Sequence, residues 1–112
     1  AWGRLDVLLV DLPPGMQRLA ELAQLLPAPP AVLTVTIPTP ESRDAVRRAM
    51  HAARDCGSEL LGILENMAGG EFAGSAGAEL ATEFAVPMLA RVPFHPSAGV
   101  WDALARRVER AS

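Results

Sequence analysis

Two short segments carry the side chains best suited to chemistry. Asp11 closes an apolar run, residues 5–10 (LDVLLV), and is followed by Leu12-Pro13-Pro14-Gly15. A carboxylate at the end of a buried strand is suited to ordering water on Mg²⁺ in phosphoryl transfer. Gly15 has no side chain, so its N–H can approach a terminal phosphate and report whether it is present. On spacing alone the same residues also read as a strand-ending Asp and a tight turn. The second segment is Ile63-Leu64-Glu65-Asn66-Met67, where the Asn66 amide offers both a donor and an acceptor to the edge of a purine. Glu65 has two readings, a contact to a ribose or partner and a plain strand end. His51 and His95 are far apart in the chain, and solvated or hydrogen-bonded roles outweigh metal binding for both. Cys56 is the single cysteine; it forms no internal disulfide and is read as a small residue at a helix end.

The elements that position these residues follow from apolar periodicity. Residues 5–10 read as a strand buried on both faces, because leucine and valine run on without polar alternation. Prolines 13 and 14 and Gly15 stop it. Residues 16–26 show helical spacing, ended by Pro27, Pro29 and Pro30. Residues 32–37 form a second strand, and Thr39-Pro40 opens a helix with Thr as N-cap and Pro at its first position. That helix runs to about Asp55 and is closed by Gly57. Residues 60–65 make a third strand, followed by a glycine-rich loop (67–77), a short helix (78–85) and a fourth strand (88–92). A last helix spans residues 98–110, with Val100, Trp101, Leu104 and Val108 read as facing inward. Alternating strands and helices predict one α/β domain over residues 1–112: a parallel sheet of about four strands flanked by about four helices. Ligands in such sheets sit at the carboxyl ends of the strands, which brings Asp11 to Gly15, Pro38 to Glu41, Glu65 to Gly70 (with Asn66) and the loop Pro93-Phe94-His95-Pro96 to one edge.

Composition narrows the partners. The chain has 112 residues, is 50% hydrophobic and carries a net charge of −3, enough apolar content for a core and no basic face for nucleic acid. No apolar run approaches the roughly 20 residues needed to span a bilayer. The reading is a cytoplasmic chain with no membrane or nucleic-acid partner. It starts at Ala1 without an initiator Met, which reads as a piece of something longer.

Taken together, Asp11-Leu12-Pro13-Pro14-Gly15, residues 31–40 running into Ala45-Val46-Arg47-Arg48-Ala49, Leu61-Gly62-Ile63-Leu64-Glu65-Asn66-Met67 and residues 86–96 (VPMLARVPFHP) resemble the C-terminal half of the Mrp-type ATPases. These are ParA- and MinD-like P-loop proteins that carry iron–sulfur clusters, and the likeness covers nearly the whole chain. The resemblance implies an ATP site with Mg²⁺ in the full-length protein. Asp11 and Gly15 would form its second switch, Asn66 would contact adenine, and Pro93, Phe94 and His95 would pass close to the base.

The chain also departs from that pattern. Nothing in it matches the lysine-bearing Gly-x-x-x-x-Gly-Lys-Ser/Thr loop, so it is not expected to hydrolyse ATP by itself. Met16-Gln17-Arg18 stands where the family has small and acidic residues. Residues 68–77 (AGGEFAGSAG) hold no Cys-x-x-Cys, so iron–sulfur binding is not carried over. In the family's sheet the strand feeding the P-loop lies between the strands at 5–10 and 32–37. A homodimer or a rearranged sheet is therefore expected, because an unpaired buried edge is costly. The competing reading is a degenerate, non-catalytic interaction or dimerisation module.

Overall fold

A computed structural model describes residues 2–13, 17–70 and 74–111 of the chain. In order, these form α1 (Gln17–Leu25), β1 (Val32–Thr36), α2 (Pro40–Asp55), β2 (Leu60–Ala68), α3 (Ala76–Phe84), β3 (Met88–Pro93) and α4 (Ala98–Ala111). The three strands make one parallel sheet in the order β1-β2-β3. Its central strand is the continuous apolar run LLGIL, in which residues 60–64 are all buried, as expected of a strand covered on both faces.

Helices α2 and α3 pack on each other and against the sheet, and α4 lies against β3. The core sits between α2, α3 and the sheet face carrying Leu60 and Ile63. Met50, Ala53, Leu80 and Phe84 fill it, Leu19 of α1 joins it, and Val32, Val46 and Met88 pack around its rim. The α2 boundaries follow the sequence reading closely. Thr39 caps the helix in an extended conformation, its hydroxyl accepting from the Ser42 N–H at 3.2 Å, and Pro40 follows in the first turn. The Ser42 hydroxyl in turn accepts from the Ile37 N–H at 3.2 Å and lies 3.0 Å from the Thr36 hydroxyl, tying the helix start to the end of β1. Cys56 caps the other end, and Gly57 follows at φ +81°. The end of α3 is fixed from α2: Arg54 donates to the Phe84 carbonyl and lies 5.0 Å above the Phe84 ring, while the His51 ring packs 4.7 Å from the same ring.

Two expectations are corrected. Residues 5–10 form no strand: Leu5, Val7, Leu8, Leu9 and Val10 are 51–79% exposed, and the sheet has three strands rather than four. An apolar run specifies burial, but a ladder also needs an edge in register, and this run neither pairs with β1 nor closes a gap beside it. Trp101 is 49% exposed and α4 buries no residue fully. The helix is amphipathic as read, yet among the described residues its main neighbour is β3, too narrow a surface to cover its apolar stripe.

Candidate functional site

The carboxyl ends of β2 and β3 flank an open groove of about 790 Å³ lined by residues 67–70 and 93–95. Its shape begins with the strand register. Glu65 pairs with Arg91 and Ala68 with Pro93, so three steps on β2 face two on β3. The extra residue lies in the Asn66-Met67 step, an irregularity of the kind that redirects side chains beside ligand sites. Met67 takes φ +56° and Gly69 φ +75°, and the left-handed conformation at a methionine costs energy that the surrounding contacts must hold.

Asn66 is half-buried at the base of this step. Its Oδ1 accepts from the Met67 N–H at 2.9 Å, which leaves the Nδ2 hydrogens as the amide's remaining donors. Beyond it the backbone of Gly70 runs against Phe94, so closely that a Cβ on Gly70 would lie 2.0 Å from the ring. The ring is 45% exposed, one face on the glycine and the groove beside it. His95 completes that wall.

Glu65 anchors the region from below. Its carboxylate is fully buried, with Oε1 accepting from the Gly77 N–H at 3.0 Å and Oε2 from Arg91 Nε at 2.8 Å. Gly77 lies in the first turn of α3, whose own N-cap, Ser75, makes no side-chain cap bond. A residue from the neighbouring strand therefore satisfies an orphan helix donor and meets the positive end of the helix dipole. A Cβ on Gly77 would stand 2.6 Å from the Met88 methyl and 3.1 Å from Glu65 Cβ, so glycine is needed for this approach.

A smaller groove of about 200 Å³ lies between the starts of α2 and α3, with Arg43 and Glu79 in its lining. Gly74 approaches the Pro38 carbonyl there. Arg43 donates to Glu79 at 2.8 Å and to Asp44 at 3.3 Å, and Arg47 donates to Glu83 and Asp44. The hydrogen bond from Arg43, joined by one from Ser75, holds the Glu79 carboxyl below its ordinary value; Arg43 does the same for Asp44.

Of the residues predicted from sequence, Pro93, Phe94 and His95 come together along the groove and Asn66 adjoins it without contributing to its lining. Asp11 is exposed in the N-terminal segment and lines neither groove. Gly15 lies outside the described residues. Residues 67–70, read from sequence as part of a strand-end segment, line the groove; the anchoring role of Glu65 was missed, its signal being an acidic residue inside an otherwise apolar strand. Among the described residues no cluster of His, Cys, Asp and Glu is placed to hold a metal ion, and no helix is long and apolar enough to cross a membrane. A groove of this kind, apolar with backbone polar groups at its rim, suits a flat heteroaromatic ring.

Comparison with known proteins agrees with the fold and the motifs. The ParA family model described as NUBPL iron-transfer P-loop NTPase matches residues 1–106. An iron-sulfur cluster carrier protein of Saccharolobus solfataricus is 36% identical over 107 residues, which cover 86% of this chain and 36% of that protein. The cytosolic Fe-S cluster assembly factor NUBP2 of Homo sapiens is 38% identical over 110 residues, 87% of this chain and 41% of that protein. The Gallus gallus factor of the same name is 37% identical over 109 residues, 86% and 40% respectively. The chain thus spans well under half the length of these relatives. With the match running over almost the whole chain, the chain belongs to the ParA family of iron-transfer P-loop NTPases.

Proposed function

We propose that this chain supplies the base-binding side of an ATP site in a protein that couples nucleotide binding to iron–sulfur cargo handling. The observation that carries this reading is the groove at the ends of β2 and β3, where parallel sheets bind ligands. It joins Phe94, His95 and the residue 67–70 backbone beside the Asn66 amide. Adenine would lie along the Phe94 side, with the Asn66 Nδ2 donating to N1, which is an acceptor in adenine and an N–H in guanine. Asp11, an exposed carboxylate, is chemically suited to a water-shelled Mg²⁺, which binds through few carboxylates and the substrate's phosphates. Bound there, Mg²⁺ would neutralise phosphate charge, and Gly15 would sense the terminal phosphate. Hydrolysis itself needs a phosphate-cradling loop and lysine that this sequence does not contain.

The relatives named as cluster carriers bring iron–sulfur cargo into the reading, against the expectation drawn from the missing Cys-x-x-Cys. Cys56 is the single thiol and caps α2 at the end of the sheet opposite the groove. Further thiolate ligands of a cluster would lie outside these 112 residues. The exposed apolar residues 5–10 and the edge of β1 left unpaired among the described residues support association as a homodimer. The cytosolic relatives support a cytoplasmic setting.

Titration of the chain with adenosine, followed by amide NMR shifts, tests the base site. Shifts are expected at residues 66–70, 94 and 95 and not around Cys56. Their absence at millimolar adenosine, with binding of a protein partner intact, would favour the non-catalytic interaction module. For the metal, Asp11→Ala is expected to abolish the strengthening of ATP binding by Mg²⁺ while leaving adenosine binding unchanged.

A further inference from the structure

We infer that the Glu65–Arg91 pair is a specificity-determining clamp: Glu65 is a positioning residue that sets the Asn66 amide for base recognition. The inference rests on the base-site reading above. Its physical basis is the place of the clamp in the ladder. Glu65 and Arg91 are the last residues in register before the irregular Asn66-Met67 step, and Ala68 and Pro93 resume the pairing beyond it. The step carries one residue too many on β2 and a left-handed methionine, so it would relax by slipping unless the strand is held on either side. Glu65 holds it twice. The 2.8 Å bond to Arg91 fixes β2 to β3, and the 3.0 Å bond from the Gly77 N–H fixes β2 to the start of α3. A fully buried carboxylate with two charge-assisted partners has little freedom to turn. Arg91 is the more exposed partner, 56% by side chain against 1% for Glu65, so its end of the clamp can be altered without opening the core.

Loss of the clamp lets the step shift, and the Asn66 donor then no longer faces one atom of a purine. A hydrogen-bonding site discriminates between bases only while its polar groups are fixed. The expected signature is a change in base preference, which a purely structural role of Glu65 does not produce.

The experiment measures adenosine and guanosine affinities by NMR titration of the whole chain, for wild type, Glu65→Gln, Arg91→Met and the double variant. Glu65→Gln retains an acceptor for the Gly77 N–H and removes the charge facing Arg91. Arg91→Met keeps the buried carboxylate on Gly77. Each single variant is expected to lower the preference for adenosine about fivefold, the effect of roughly one hydrogen bond, and the double variant to lower it no further. Arg54→Met, which removes the contact to Phe84 at the far end of α3, is expected to lower thermal stability and leave the preference unchanged. If Asn66→Ala lowers the preference but the folded Arg91→Met variant does not, the clamp is overturned while the base site stands. If wild type shows no preference for adenosine, or Asn66→Ala leaves it unaltered, both readings fall.

Discussion

Asn66 and Gly70 show how far a residue's type and its setting can diverge. Asn66 was legible as an amide at a strand end, yet which of its groups remains available depends on the Met67 N–H, which takes Oδ1. Asn66→Asp keeps that acceptor and replaces the free donor with a carboxylate oxygen, so adenosine binding is expected to weaken about tenfold or more, with folding retained; NMR titration reads it directly. Gly70 has a different constraint. Its substitution by alanine would place a methyl where the Phe94 ring now lies. The ring is partly exposed and must shift to admit the methyl, so a stability cost of about 1 kcal/mol is expected. The adenosine-induced shift at residue 94 is expected to shrink or vanish. A near-normal melting temperature with an unaltered shift would show that the ring does not border the ligand.

Among the elements, α2 was read almost to the residue because its signals are local. Thr39, Pro40 and Gly57 act within one turn, and Thr39→Ala is expected to cost about 1 kcal/mol in chemical denaturation. The contact of α2 with α3 was not legible, since Arg43 and Glu79 lie 36 residues apart. Their pairing predicts a pH dependence. The folded-state value of Glu79 is depressed below its ordinary 4.5 and that of Asp44 below 3.8. A depressed carboxylate contributes stability that is present above its unfolded value and lost as pH falls through the folded one. The Arg43 contribution is therefore expected to be full at pH 7 and to fade as pH falls below about 4.5. Because the groups are exposed, it is small and screened by salt. Comparing melting temperatures of Arg43→Met and wild type should show a modest gap at pH 7 that narrows as the pH falls below 4.5 and in high salt.

At the scale of the whole molecule, the main core cluster packs between α2, α3 and the sheet, while several apolar surfaces stay exposed. Phe84 is at its centre, 1% exposed, and Phe84→Ala is expected to cost about 3–5 kcal/mol, visible as a large drop in the denaturation midpoint. Among the described residues no strand lies beside the outer edge of β1, Val35 on that strand is 53% exposed, and residues 5–10 present a run of apolar side chains. Free edges and apolar patches of this kind drive association. Sedimentation velocity is expected to show concentration-dependent dimerisation, reduced by Leu9→Lys or Val35→Lys. A monomer at all concentrations, unchanged by either substitution, would rule this out.

What the sequence determined by itself was local or periodic. Apolar runs located the strands at 32–37, 60–65 and 88–92 along with a fourth run at 5–10 that does not pair, proline, threonine and glycine marked the helix ends, and Asp-Leu-Pro-Pro-Gly with Glu-Asn-Met pointed to the family. These features depend on backbone sterics and hydrogen bonds within a few residues. The tertiary structure alone decided which apolar runs find a partner. Residues 5–10 have a buried strand's composition and no ladder, because pairing needs a neighbouring edge as well as hydrophobicity. It also decided that Glu65 turns inward to Gly77 and Arg91, since a carboxylate is buried only where donors converge from other elements.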